Sequence, residues 1–129
     1  MFRITILFLA LSCICSSLAA AQAAKPLPRI EVTAPKDVES VEALNNALRA
    51  LSEKVTECVK AGGKPEVCRC KYPQELAKFR KSYATLIQQH PEWKDKILGY
   101  EYVNKDGRNI SGTMDLETMR RQLEVLKCD

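Results

Sequence analysis

Four cysteines, Cys58, Cys68, Cys70 and Cys128, constrain the fold of this chain more than any other feature, because of the segment that precedes them. Arg3 supplies a basic start, Ile4–Ile14 is apolar, and Ser16–Ala24 turns small. Ala19-Ala20-Ala21 and Ala21-Gln22-Ala23 both fit a small-x-small cleavage site. That order of basic, apolar and small residues reads as a secretory signal peptide over residues 1–23. Its apolar run is well short of the ~20 residues a membrane-spanning helix needs. Cys13 and Cys15 leave with the signal. Lipid attachment at either is disfavoured, since Ala10 and Ser12, rather than leucine, stand three residues before them. The working chain, from about Ala24 to Asp129, is one domain's worth of sequence. It is expected in an oxidising compartment, the periplasm or outside the cell, without a transmembrane segment.

An even cysteine count in a small exported domain reads as two disulfides. Three pairings exist. A short local loop favours Cys58–Cys68 with Cys70–Cys128, and on the chain-entropy model these bridges contribute roughly 3 and 4 kcal/mol. Exchanging Cys68 for Cys70 barely alters those figures, so energetics leaves the connectivity open.

Residues 24–36 carry Pro26, Pro28 and Pro35 without helical periodicity and read as a flexible, extended arm. A single helical domain is expected over residues 37–129. Asp37 stands where a helix cap belongs, with Glu39 and Glu42 in the first turns. Val41, Leu44, Leu48, Leu51, Val55 and Cys58 then alternate at spacings of three and four, predicting a helix of about 24 residues. Gly62-Gly63 ends it. The positions flanking this stripe, Asn45, Ala47, Ser52 and Lys54, lack the complementary charges of a dimeric coiled coil. Ala43, Ala47 and Ala50 widen the apolar face instead, so a monomer packed on itself is expected.

Lys64–Tyr72 reads as a short, basic connection. Pro73 opens a second helix to about His90, with Leu76, Phe79, Tyr83, Leu86 and Ile87 inward, forming an antiparallel hairpin with the first. Pro91 starts a short helix carrying Trp93 and Ile97 and ending at Gly99. Tyr100–Val103 and Arg108–Ser111 flank Asn104-Lys105-Asp106-Gly107, a candidate β-hairpin or loop. Thr113 or Asp115 caps a last helix with Leu116, Met119, Leu123 and Leu126 inward. The expected fold is all-α or mainly α: a helical hairpin, a C-terminal helix and a small insertion, stapled by disulfides.

Chemistry-bearing constellations are sparse. His90 is the single histidine, placed at a helix end where the negative dipole suits it, and no local motif supplies a nucleophile or an orienting acid. One histidine and four bonded cysteines leave too few ligands for a metal site, and no other cofactor motif is present. Gly62-Gly63 lacks the strand–turn–helix setting of a phosphate loop. Cys68-Arg69-Cys70 is the sharpest feature. Two thiols beside Arg69 and Lys71 suit a redox pair, since nearby positive charge favours the attacking thiolate. The competing reading gives each cysteine a structural partner on a different helix.

Between Cys58 and Lys81 the chain carries Lys60, Lys64, Arg69, Lys71, Lys78, Arg80 and Lys81 against Glu66 and Glu75. Gathered on one face, these cations suit an anionic envelope component or an acidic protein. The formal charge of the whole chain is +4, too mild for a nucleic-acid binder. Tyr100 and Tyr102 alternate and serve either as an exposed aromatic face or as packing. Asn109-Ile110-Ser111 matches a glycosylation sequon, relevant only in a eukaryotic pathway, whereas the alanine-rich cleavage region points to a bacterial one. The leading expectation is a small exported, non-enzymatic binding protein, such as an inhibitor, an immunity protein or an envelope accessory factor. Lys60, Lys64, Arg69 and Lys71 are its candidate contacts. The alternative is a thiol–disulfide protein working through Cys68 and Cys70.

Overall fold

The computed structural model describes residues 29–126 and 128. The signal peptide and residues 24–28 lie outside these. The domain is mainly helical, with a small three-stranded sheet. In chain order it comprises strand β1 (Arg29–Val32), helix α1 (Pro35–Lys60), helix α2 (Pro65–Cys70), helix α3 (Pro73–Gln89), a 3-10 turn (Pro91–Trp93), strands β2 (Ile97–Val103) and β3 (Asn109–Asp115), and helix α4 (Leu116–Val125). No described helix is long and apolar enough to cross a membrane.

The sheet corrects the expected hairpin insertion. β2 is its central strand, antiparallel to β3 and parallel to β1. β1 comes from the segment expected to be a flexible arm. Its sequence Arg29-Ile30-Glu31-Val32 alternates polar and apolar, and Ile30 and Val32 stand opposite Leu98 and Tyr100 on the face that meets the helices. Pro35 does not interfere, because it falls beyond the last paired residue.

Pro35 is instead the first residue of α1. Its fixed φ suits that position and its missing N–H costs nothing there. Asp37 therefore sits inside the first turn, and Ala34 occupies the cap without a side-chain bond. Val41, Leu44, Leu51 and Cys58 are buried along α1, while Leu48 and Val55 are half-buried. Ala47 packs against the core, but Ala43 and Ala50 are exposed, so the apolar face is narrower than expected. On α3, Leu76, Phe79, Tyr83 and Leu86 are buried and Ile87 partly so. The start of α1 lies beside the end of α3, where Ser40 Oγ donates to Gln89 Oε1 at 2.8 Å. Helix α2 interrupts the expected connection between them.

The turn after His90 ends at Trp93, and Ile97 already belongs to β2. Gly99, expected to close a helix, lies within β2 under the Arg29 side chain, where a Cβ would meet the guanidinium. Leu98, Tyr102 and Met114 face inward from β2 and β3. The Tyr102 hydroxyl accepts from Asn45 Nδ2 at 3.1 Å, so this tyrosine serves packing rather than an exposed aromatic face. At the hairpin tip, Asn104 Oδ1 accepts from the amides of Asp106 and Arg108, and Gly107 supplies the positive φ of 73°. Asp115 caps α4: its carboxylate accepts from the Thr118 amide, which holds its pKa below the ordinary value. Leu116 and Met119 are buried, with Leu123 and Leu126 packed at the margin.

Gly62 and Gly63 serve different ends. Gly62 has φ 92°, the left-handed conformation that stops α1. Gly63 makes room for sulfur: a Cβ there would stand 2.8 Å from Cys58 Sγ and closer still to Cys68 Sγ. Gly63→Ala is therefore expected to lower stability by about 1–3 kcal/mol through overpacking. Gly62→Ala should lose ~1–2 kcal/mol through its backbone alone. Urea denaturation of the oxidised variants measures both. Wild-type stability in Gly63→Ala would refute the close approach.

Candidate functional site

The chemistry singled out in the sequence converges on the end of the domain where α1 stops and α2 begins. Cys58 on the last turns of α1 bonds to Cys68 of α2, with Cα atoms 5.7 Å apart. Cys70, at the end of α2, bonds to Cys128 beyond α4, with Cα atoms 5.2 Å apart. Cys68 and Cys70 thus reach different elements rather than each other. The reason lies in helical geometry, since residues two apart on a helix project in directions about 200° apart. Cys68 turns in and is fully buried, whereas Cys70 is half-buried. All four cysteines are bonded.

The candidate cations are exposed on this braced segment. Lys60 lies in the last turn of α1, Lys64 immediately precedes α2, Arg69 lies in its last turn, and Lys71 follows it. Among the described residues, none of the four has an ion-pair partner within 4.0 Å. They do not share one pocket. Lys71 borders an open concavity of about 630 Å³ with Glu66, Val67 and both disulfides. Arg69 borders a separate groove of about 270 Å³ whose walls include Leu48, Val55, Phe79 and Leu126. Lys60 and Lys64 line neither.

The wider run of seven cations disperses further. Arg80 donates to the Leu126 carbonyl at 2.6 Å, fastening the end of α4 to α3. Lys81 borders a third groove, between α1 and α3, with Lys36, Ser40 and Gln89. Beside the Lys71 concavity, Val67 is 63% exposed. Sequence reading missed it because Val67 stood in a segment taken for a loop, where no periodicity assigns a face.

His90 sits at the opposite end of α1 from the disulfides. It follows the last residue of α3, where its amide donates to the Leu86 carbonyl. Its ring stacks on Trp93 with centroids 3.7 Å apart, Nε2 lies 2.9 Å from Asp37 Oδ1, and Nδ1 lies 3.1 Å from Glu92 Oε1. Both carboxylates favour the imidazolium, the Asp37 bond most, and raise its pKa above 6.5. With an acid on each nitrogen, the ring has no free nitrogen to activate a nucleophile. The two acids lie on opposite sides of the ring, and among the described residues no three His, Cys, Asp or Glu side chains converge as metal ligands. Among these residues no charged or polar side chain is fully buried. Comparisons of the chain with protein-family models, with curated proteins and with solved structures found no match.

Oxidised, denatured protein is expected to take up no alkylating reagent at Cys58, Cys68, Cys70 or Cys128, as read by intact mass. Replacing Cys70 and Cys128 together by serine should remove about 4 kcal/mol of stability. Labelling of either residue in the wild-type protein would contradict the second bridge.

Proposed function

We propose that this chain is a small exported interaction protein of the periplasm, without catalytic activity, that presents its disulfide-braced end to an anionic partner. An inhibitor, an immunity protein or an envelope accessory factor would each use such a surface. The reading rests on one observation above others: Lys60, Lys64, Arg69 and Lys71 are exposed on a segment pinned by both disulfides, with no ion-pair partner among the described residues. Cations carried on a braced backbone require no ordering of that backbone when they meet an opposite charge, which favours association. The exposed Val67 adjoins them and adds apolar area to the same contact.

The test titrates the protein into a labelled glutamate-rich peptide and into anionic phospholipid vesicles, at low and at physiological salt. Binding to the peptide is expected, weakening as salt screens the charges. Reversing Lys64, Arg69 and Lys71 to glutamate should weaken it roughly tenfold or more, at up to ~1 kcal/mol per exposed contact, with the helical circular dichroism unchanged. Vesicle binding of equal charge dependence would make the partner a lipid surface. Absence of binding to both probes, or binding indifferent to the triple reversal, would remove the reading. A thiol–disulfide activity abolished by Cys70→Ser in a folded protein would replace it.

A further inference from the structure

The arrangement around His90 joins parts of the chain that are far apart in sequence. Asp37 lies in the first turn of α1, two residues beyond its proline start and five beyond the end of β1. His90 follows α3, and Glu92 lies in the 3-10 turn that leads toward β2. The ring is clamped between the two acids and laid flat on Trp93, which is itself buried in the core. Asp37 and His90 are each only 22% exposed at the side chain, so water competes weakly for the bond between them. Asp37 and Glu92 are the charged groups acting on the ring from the elements packed against it. The neighbouring Ser40–Gln89 bond is neutral and does not titrate.

We propose that Asp37, His90 and Glu92 form a proton-held clasp that regulates how firmly the start of α1 is fastened. With the imidazolium in place, both ring nitrogens donate and the first turn of α1 is tied to the end of α3. When the ring releases its proton to solvent, one of the two nitrogens becomes an acceptor facing a carboxylate, and one of the two bonds is lost. The bond that remains is no longer charge-assisted, and the clasp loosens. β1 runs directly into α1 through Thr33 and Ala34, so its short parallel pairing with β2 loses its anchor at the same time. The far end of α1 stays fixed by Cys58, so the loosening is confined to the end holding Asp37.

A histidine whose folded pKa is raised contributes stability that is fully present below its unfolded value, 6.5, and is lost as pH rises through the folded value. The domain is therefore tighter in acid and looser toward alkaline pH, over a window that opens at 6.5.

His90 is the single histidine of the chain, so its ring protons give an unambiguous NMR titration of the full oxidised protein. The same samples give amide-exchange protection factors at Ile30, Val32 and residues 38–41. A midpoint above 6.5 is expected. Protection at these amides should fall through the same pH range by about tenfold for each pH unit by which the midpoint exceeds 6.5. Protection near Cys58 should stay level. In Asp37→Asn the midpoint should move back toward 6.5 and the change in protection should shrink with it. A wild-type midpoint at or below 6.5, or protection that is flat through the titration, would overturn the clasp. So would an equal fall in Asp37→Asn.

Discussion

Strand β2 is where this domain closes on itself. It pairs with β1 on one side and β3 on the other, and its inward residue Leu98 is fully buried among side chains from the long helices and α4. Without β1, the start of the described chain would have no connection to the second half except through α1. Without β1, too, β2 and β3 would form only a two-stranded hairpin, which is marginal in water unless packed on something. The parallel β1–β2 contact requires a long crossover, and α1, α2 and α3 supply it. The apolar stripes of α1 and α3 thus face each other and the sheet, which explains how a domain of this size finds one continuous core.

The helices were legible because a 3.6-residue period extends over many residues in α1 and α3. Val41, Leu44, Leu51 and Cys58, like Leu76, Phe79, Tyr83 and Leu86, recur on one face, and they are the buried ones. The hairpin tip was legible from Asn104 and Gly107, whose backbone demands are local. β1 was not. Four residues between prolines carry too short an alternation to stand out, and their partner lies far along the chain, where no local rule reaches. Gly99 misled for a related reason. It resembled a helix stop, but what it accommodates is the side chain of Arg29 from a distant strand. The end of the domain that carries the bridges was legible as cysteines and charge, yet not as α2, because six residues cannot display a period.

Charge in this molecule divides by position. Near α4, Arg120 bonds to Asp95 and Glu124, and Arg121 to Glu117, so cations there are matched within the fold. Around α2, Lys60, Lys64, Arg69 and Lys71 have no such partner among the described residues, and neither do Lys105 and Arg108 at the hairpin tip. Exposed ion pairs contribute little to stability, so matched and unmatched cations differ mainly in what they offer to another molecule. Tyr83, buried and donating to the Leu116 carbonyl, shows how the interior handles polarity: one hydroxyl and one acceptor, with burial raising its pKa.

The two bridges are consecutive among the four described cysteines: Cys58 with Cys68, then Cys70 with Cys128. A polypeptide that emerges N-terminus first into an oxidising space exposes Cys58 and then Cys68, and Gly63 lets the two sulfurs pack against the turn between them. Cys70 is then left with a single remaining partner, which arrives last. The loops neither nest nor cross, so this connectivity is the one that pairing in chain order would produce.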